Sequence, residues 1–231
     1  MSDINIKEER QQSLFDMMSG RAASPSEPEQ AGLAASGNDK EAELDQLKEE
    51  ALSCRRCSLR QGCRQVVFGV GNPNARLMLV GEGPGSDEDR QGEPFVGRAG
   101  QLLNRILQAA KMNRDDVYIA NVVKCRPPNN RLPVQTEIDA CLPYLQKQIE
   151  LIDPEMVVCL GSLATKSLID KNASITRSRG CWLEIGSRRY MATFHPAALL
   201  RDPGKKKLVW DDFKEVIKAY NNPDNGGSVN E

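Results

Sequence analysis

Residues Gly81–Leu103 read GEGPGSDEDRQGEPFVGRAGQLL. Glu82 and Glu88 supply carboxylates, Phe95 supplies an aromatic face, and the glycines let backbone approach a ligand closely. Carboxylates beside an exposed aromatic suit binding and hydrolysis of something flat. A phosphate-cradling loop needs Gly-Lys-Ser/Thr opening the helix, and no such triplet occurs. A dinucleotide fingerprint needs G-x-G-x-x-G, which Gly81-x-Gly83-x-Gly85 misses. Three further groups carry chemistry: Asn121 at the end of an apolar run, His195 within Phe-His-Pro, and Cys54-x-x-Cys57 with Cys125 and Cys141. A C-x-x-C reads as a redox dithiol, as zinc or as iron–sulfur. The dithiol reading expects a thioredoxin-like βαβ context, which is missing. Two close and two distant thiolates fit a four-cysteine zinc site nearly as well as a [4Fe–4S] cluster. Cys159 and Cys181 read as small buried hydrophobes, and Cys63 as a bystander.

Strands must place these groups. Apolar bursts predict them at Leu77–Gly81, Val117–Asn121, Met156–Gly161 and Tyr190–Phe194. Helical spacing predicts helices after Asn38, from Gln101, over Val134–Leu151, over Leu163–Ile169 and over Leu208–Tyr220. Ile175–Arg189 reads as an antiparallel excursion. The alternation gives an α/β fold: a three-layer α/β/α domain around a mostly parallel four-stranded sheet. Glu82, Asn121, Gly161-Ser162 and His195 each follow a strand, so their loops converge on one sheet edge.

Residues 1–40 read as a disordered acidic tail and linker, 41–222 as the folded domain, and 223–231 as a disordered end. Residues 1–45 carry ten acids against four bases, while the rest carries 22 acids against 27 bases. A mildly basic domain behind an acidic tail is compatible with a nucleic-acid partner. No run approaches a membrane span, the N-terminus is too acidic for a signal peptide, and seven cysteines in such a protein argue for metal or free thiols rather than a disulfide framework. The expectation is a cytoplasmic monomer without a membrane partner.

Four separated motifs carry a family resemblance: GEGPG, then PFVGRAG, then Asn121-Val-Val-Lys-Cys-Arg-Pro-Pro128, then His195-Pro-Ala-Ala-Leu-Leu-Arg201. Together they resemble the family 4, iron–sulfur uracil-DNA glycosylases, in order and over roughly residues 45–220. The resemblance implies removal of uracil from DNA by base flipping and hydrolysis, the first step of base excision repair. It implies the uracil-DNA glycosylase fold and tips the cysteine quartet to [4Fe–4S] on Cys54, Cys57, Cys125 and Cys141. It implies that neutral His195 donates to uracil O2, that Asn121 reads O4 and N3–H, and that Phe95 stacks on the flipped base. Ser162 and its neighbours then hold a phosphate, Leu199 or Leu200 wedges into the stack, and Arg201 with Lys205–Lys207 meets the backbone.

Gly83 and Gly85 stand where the related family 1 enzymes carry Asp and Tyr; the resemblance places Gly83 at the substrate and leaves Glu82 or Glu88 to orient water. Thymine exclusion falls to Glu88 or Asp87. No basic, His-containing insertion follows the second strand, which implies ordinary turnover. Two rivals compete: a non-catalytic iron–sulfur DNA-binding module, which need not keep Phe95, Asn121 and His195 together, and a zinc-stabilised nuclease, which lacks the clustered carboxylates it needs. In the tail, Gln11, Ser13, Leu14 and Phe15 resemble the pentapeptide that docks on a replication sliding clamp, against the bland reading of a greasy patch.

Overall fold

A computed structural model describes residues 37–222. Its helices and strands run α1 Gly37–Leu52, α2 Leu59–Gly62, β1 Val70–Gly71, β2 Leu77–Gly81, α3 Ser86–Gln91, α4 Arg98–Ala109 and β3 Tyr118–Asn121. They continue with α5 Gln135–Ile152, β4 Met156–Leu160, α6 Ser162–Leu168, α7 Ile175–Ser178, β5 Trp182–Ile185, β6 Arg188–Thr193, α8 Pro196–Arg201 and α9 Lys205–Asn221. The six strands form one sheet in the order β1-β3-β2-β4-β6-β5. The four central strands are parallel, and β1 and β5 add antiparallel edges. The expected four-stranded parallel core is therefore present, extended by a strand at each side.

Alternation along the strands makes the layers. Met78, Val80, Tyr118, Ala120, Val157 and Cys159 face one way, into a core with Ala51 of α1, Leu145 and Ile149 of α5 and Ala164 of α6. Leu77, Leu79, Ile119, Met156, Val158 and Leu160 face the other way, against Leu103 and Leu107 of α4 and Phe213 and Val216 of α9. Both faces of β2 and β4 are buried, which is why those strands read as unbroken apolar runs.

Four short helices escape the hydrophobic period, α2 at Leu59–Gly62 among them. Within the glycine-rich loop, α3 is stopped by Gly92, whose φ of 81° is the left-handed cap that glycine favours. The His195 motif continues into α8, with Pro196 at its first position, where a missing N–H goes unnoticed. The fourth, α7, is a four-residue turn, Ile175–Ser178, leading into the β5 edge.

Candidate active site

The parallel register aligns Gly81 with Asn121, and the pairing runs on past both strand ends: Val122 donates to the Gly81 carbonyl at 3.0 Å and Val123 to that of Glu82 at 3.1 Å. The two loops thus leave the sheet side by side. Gly81 forms the floor between them. A Cβ there would lie 2.4 Å from Asn121 Oδ1 and 2.6 Å from Phe95 Cζ, so only glycine lets both side chains cross it. Above this floor opens a cavity of about 320 Å³, lined by Glu82, Gly83, Phe95, Asn121, His195 and Arg201 among others. Its size is that of a small-ligand site.

Phe95 sits at φ 55°, an uncommon place for an aromatic residue. The turn is clamped from behind: Arg114 donates to the Pro94 carbonyl at 2.6 Å, and a Cβ on Gly100 would overlap the Phe95 carbonyl. Phe95 and His195 face each other with ring centroids 5.4 Å apart and planes tilted by 31°. A flat ring held here would meet apolar carbon on one side and imidazole on another.

His195 caps α8, with its Nδ1 accepting from Ala197 N–H at 3.1 Å. That bond leaves the proton on Nε2. Burial, reinforced by the Arg201 charge, pulls the imidazole pKa down to about 4, so the ring is neutral and a donor at ordinary pH. Asn121 is buried, and its Oδ1 has no hydrogen-bond partner among the described residues. A buried acceptor left open at a cavity wall is an acceptor reserved for something that enters.

The two carboxylates differ. Glu88 accepts from Gly85 N–H at 3.1 Å, Val96 N–H at 3.0 Å and Gly97 N–H at 2.9 Å, binding the start and end of the loop together. Glu82 has no such partner among the described hydrogen bonds; burial raises its pKa, with Arg201 opposing. Leu199 and Leu200 also part company: Leu199 is 2 % exposed and belongs to the core, whereas Leu200 is 38 % exposed. Ser162 is exposed at the start of α6, outside the cavity lining.

A buried clasp behind His195 had no place in the motif reading. Asp212 of α9 accepts from Thr193 Oγ at 2.5 Å and from Arg179 Nε at 3.0 Å, tying the end of β6 to α9 and the β5 approach. Its sequence signal is an acid at a core position of the Val209, Phe213, Val216 stripe. Lys124 gives the same kind of signal, a charge inside an otherwise apolar run.

The cysteine expectation requires correction. Cys54, Cys57, Cys125 and Cys141 do border one crevice, together with Leu59, Val66 and Tyr144, but the space between them is about 20 Å³, room for about one water. Among the described residues no group of three or more His, Cys, Asp or Glu is placed to hold a metal ion. The [4Fe–4S] cofactor, its zinc alternative and the iron–sulfur qualifier of the family resemblance are withdrawn on that finding. Burial pushes the Cys125 and Cys141 thiols up. Cys63, read as a bystander, is a neighbour of Cys125, and Cys181 is exposed rather than buried. Cys159 lies in the core, as its run suggests.

Residues 68–215 match the Uracil DNA glycosylase superfamily. The chain is similar to the type-4 uracil-DNA glycosylase of Sulfurisphaera tokodaii, with 44 % identity over 183 residues covering 75 % of this chain and 83 % of that protein. It is similar to that of Thermotoga maritima at 43 % identity, covering 75 % and 92 % of the two chains. To that of Archaeoglobus fulgidus it is 42 % identical, covering 75 % and 91 %.

Proposed function

The chain belongs to the uracil-DNA glycosylase superfamily, and on that premise we propose how its residues perform the reaction. It is a glycosylase of base excision repair, and DNA carrying uracil is its substrate. The observation that carries the residue assignment is the cavity wall itself: an open buried acceptor, Asn121 Oδ1, beside the paired rings of Phe95 and His195. Uracil flipped out of the duplex stacks on Phe95. Its N3–H fills the Asn121 acceptor and its O4 takes the Asn121 amide N–H. Cytosine presents the opposite pattern and leaves both groups unpaired, which gives strong discrimination.

As the C1′–N1 bond breaks, the electron pair moves onto the base and charge gathers on O2. His195 Nε2–H faces that charge as a neutral donor, worth about 3 kcal/mol of barrier. Water adds to the sugar cation at C1′ and loses its proton. Glu82 is the carboxylate we assign to orient that water, because the Glu88 oxygens are occupied by three backbone N–H groups. Gly83 keeps the loop thin: a Cβ there would lie 2.7 Å from Val123 Cγ2. Leu200 is the wedge, because Leu199 is committed to the core, and Arg201 at the cavity wall meets phosphates together with Ser162 outside it.

No described helix is long and apolar enough to cross a membrane. The free cysteines support a cytoplasmic site of action. Gln11, Ser13, Leu14 and Phe15 lie outside the described residues; their pattern supports docking on a sliding clamp. A peptide of residues 8–19 binds such a clamp at micromolar concentration on this reading, and replacing Leu14 and Phe15 by Ala abolishes it; no binding at about 100 µM refutes it.

The enzymatic reading is tested with a labelled oligonucleotide carrying one uracil, treated with the protein and then with alkali. Strand cleavage at the uracil is expected, and an intact strand would overturn the assignment.

A further inference from the structure

The least expected side chain in the molecule is Lys124. It is 2 % exposed, ranking among the largest fully buried side chains, and it lies three residues beyond the group that reads the base. A lysine in that position is tolerated only if its hydrogens are matched. Nζ donates to the Asn121 carbonyl at 3.0 Å and to Gln148 Oε1 of α5. Gln148, itself fully buried, uses its Nε2 to reach the Phe68 carbonyl at 3.0 Å and Tyr118 Oη at 3.2 Å. The Phe68 ring covers the ammonium from a centroid distance of 5.8 Å. Each of these polar atoms therefore has a partner, and the chain of bonds ends on the backbone of Asn121.

That end point matters because of what Asn121 lacks. On that side β1 pairs with Tyr118 and Ile119, and the chain leading into it next bonds at Lys124, whose carbonyl accepts from Val67 N–H at 2.8 Å, so the contact skips Asn121. The Asn121 side chain has no partner at Oδ1 among the described residues to fix its rotation or height. Its aim into the cavity depends on where its backbone stands, and Lys124 is the side chain that grips that backbone from behind the sheet. We propose that Lys124 is a positioning residue for uracil excision: it holds the Asn121 backbone, with Gln148 as its anchor in α5, so that the Asn121 amide meets the flipped base in register. The proposal rests on the assignment of Asn121 as the base-reading group. Its effect is that of a small misplacement, which lowers the chemical rate steeply while binding of the DNA is kept.

The test is a double-mutant cycle read by single-turnover excision from a single-stranded, uracil-containing oligonucleotide. Lys124→Met keeps the length and apolar stem while removing the donors. It is expected to slow excision by about 10–100-fold, with affinity for abasic product DNA unchanged within about twofold. In an Asn121→Ala background the same change is expected to cost less than about twofold, because a positioning residue has nothing left to position. Gln148→Met, which leaves Lys124 in place without its anchor, is expected to slow excision by about fivefold with the same loss of effect in that background; it decides the matter if Lys124→Met does not fold. Excision at the unmutated rate, or equal losses with and without Asn121, would overturn the proposal. If Asn121→Ala itself excised uracil normally, the base-reading assignment would fall instead, a distinguishable outcome.

Discussion

Two cavities draw on the segment Asn121–Cys125, one through Asn121 and the other through Lys124 and Cys125, and they differ in almost every physical respect. The one behind Asn121 is about 320 Å³, polar at its walls, and contains a buried acceptor with no partner among the described residues and a histidine held neutral. The one bordered by Lys124 and Cys125 is about 20 Å³, lined by apolar carbon and by Cys54, Cys57, Cys125 and Cys141. Lys124 hangs between them, its backbone N–H on Cys141 Sγ at 3.2 Å and its ammonium on the Asn121 carbonyl. The difference teaches that convergence of reactive residue types does not by itself make a site. Unmatched polar groups in an open, shaped space mark the working cavity; matched or apolar ones mark a joint that holds the fold together.

If the cavities divide the labour in this way, damage to the first removes chemistry and damage to the thiols of the second removes stability. The largest effect is expected at the first. Asn121→Ala and His195→Ala should each slow single-turnover excision by about 10²–10³-fold while leaving duplex binding within about twofold, measured by fluorescence anisotropy. Next comes Gly81→Ala, whose added methyl meets Asn121 Oδ1 and the Phe95 ring at once. Excision should fall by about 100-fold, with a stability loss of about 1–3 kcal/mol in denaturant.

A finer cut separates the two carboxylates. Glu88→Gln replaces an acceptor of three backbone N–H groups and should cost about 1–3 kcal/mol in urea unfolding. Glu82→Gln should leave unfolding unchanged within about 0.5 kcal/mol and slow excision instead, by about 10²-fold. The smallest effect on chemistry belongs to the crevice. Cys141→Ala should lower stability by about 1–3 kcal/mol and leave the excision rate within about threefold. A rate that collapsed with the thiol would erase the division between the cavities.

The sheet was legible because its four central strands are buried on both faces, so that Leu77–Val80 and Met156–Leu160 appear as unbroken apolar runs. The edge strands were harder to see. β1 is two residues long, and β5 shows no burial pattern that alternation could reveal. The position of Glu82, Asn121 and His195 at the ends of parallel strands brought them to one sheet edge, and all three line one cavity, whereas Phe95 was indicated by the family resemblance. Spacing did not carry the rest. Glu82 and Glu88 are equivalent on paper, and only the three N–H groups around Glu88 distinguish them. The cysteine spacing identified residues that border one crevice but said nothing of whether they are placed to hold a metal. Leu199 and Leu200 are neighbours of one type, and which face of a six-residue helix meets the core is settled by packing.

The chain contains a single histidine, which permits a direct measurement on the reacting cavity. Protein labelled with ¹⁵N only at histidine gives one imidazole pair by NMR. The pKa of about 4 lies below the usual histidine value of about 6.5, because burial and Arg201 disfavour the charged ring. The ring should therefore stay in the neutral Nε2–H form from about pH 8 to about pH 5, with its Nε2 resonance moving on saturation with free uracil. A titration centred near 6.5, or a resonance indifferent to uracil, would contradict the placement of His195 as a neutral donor to the departing base.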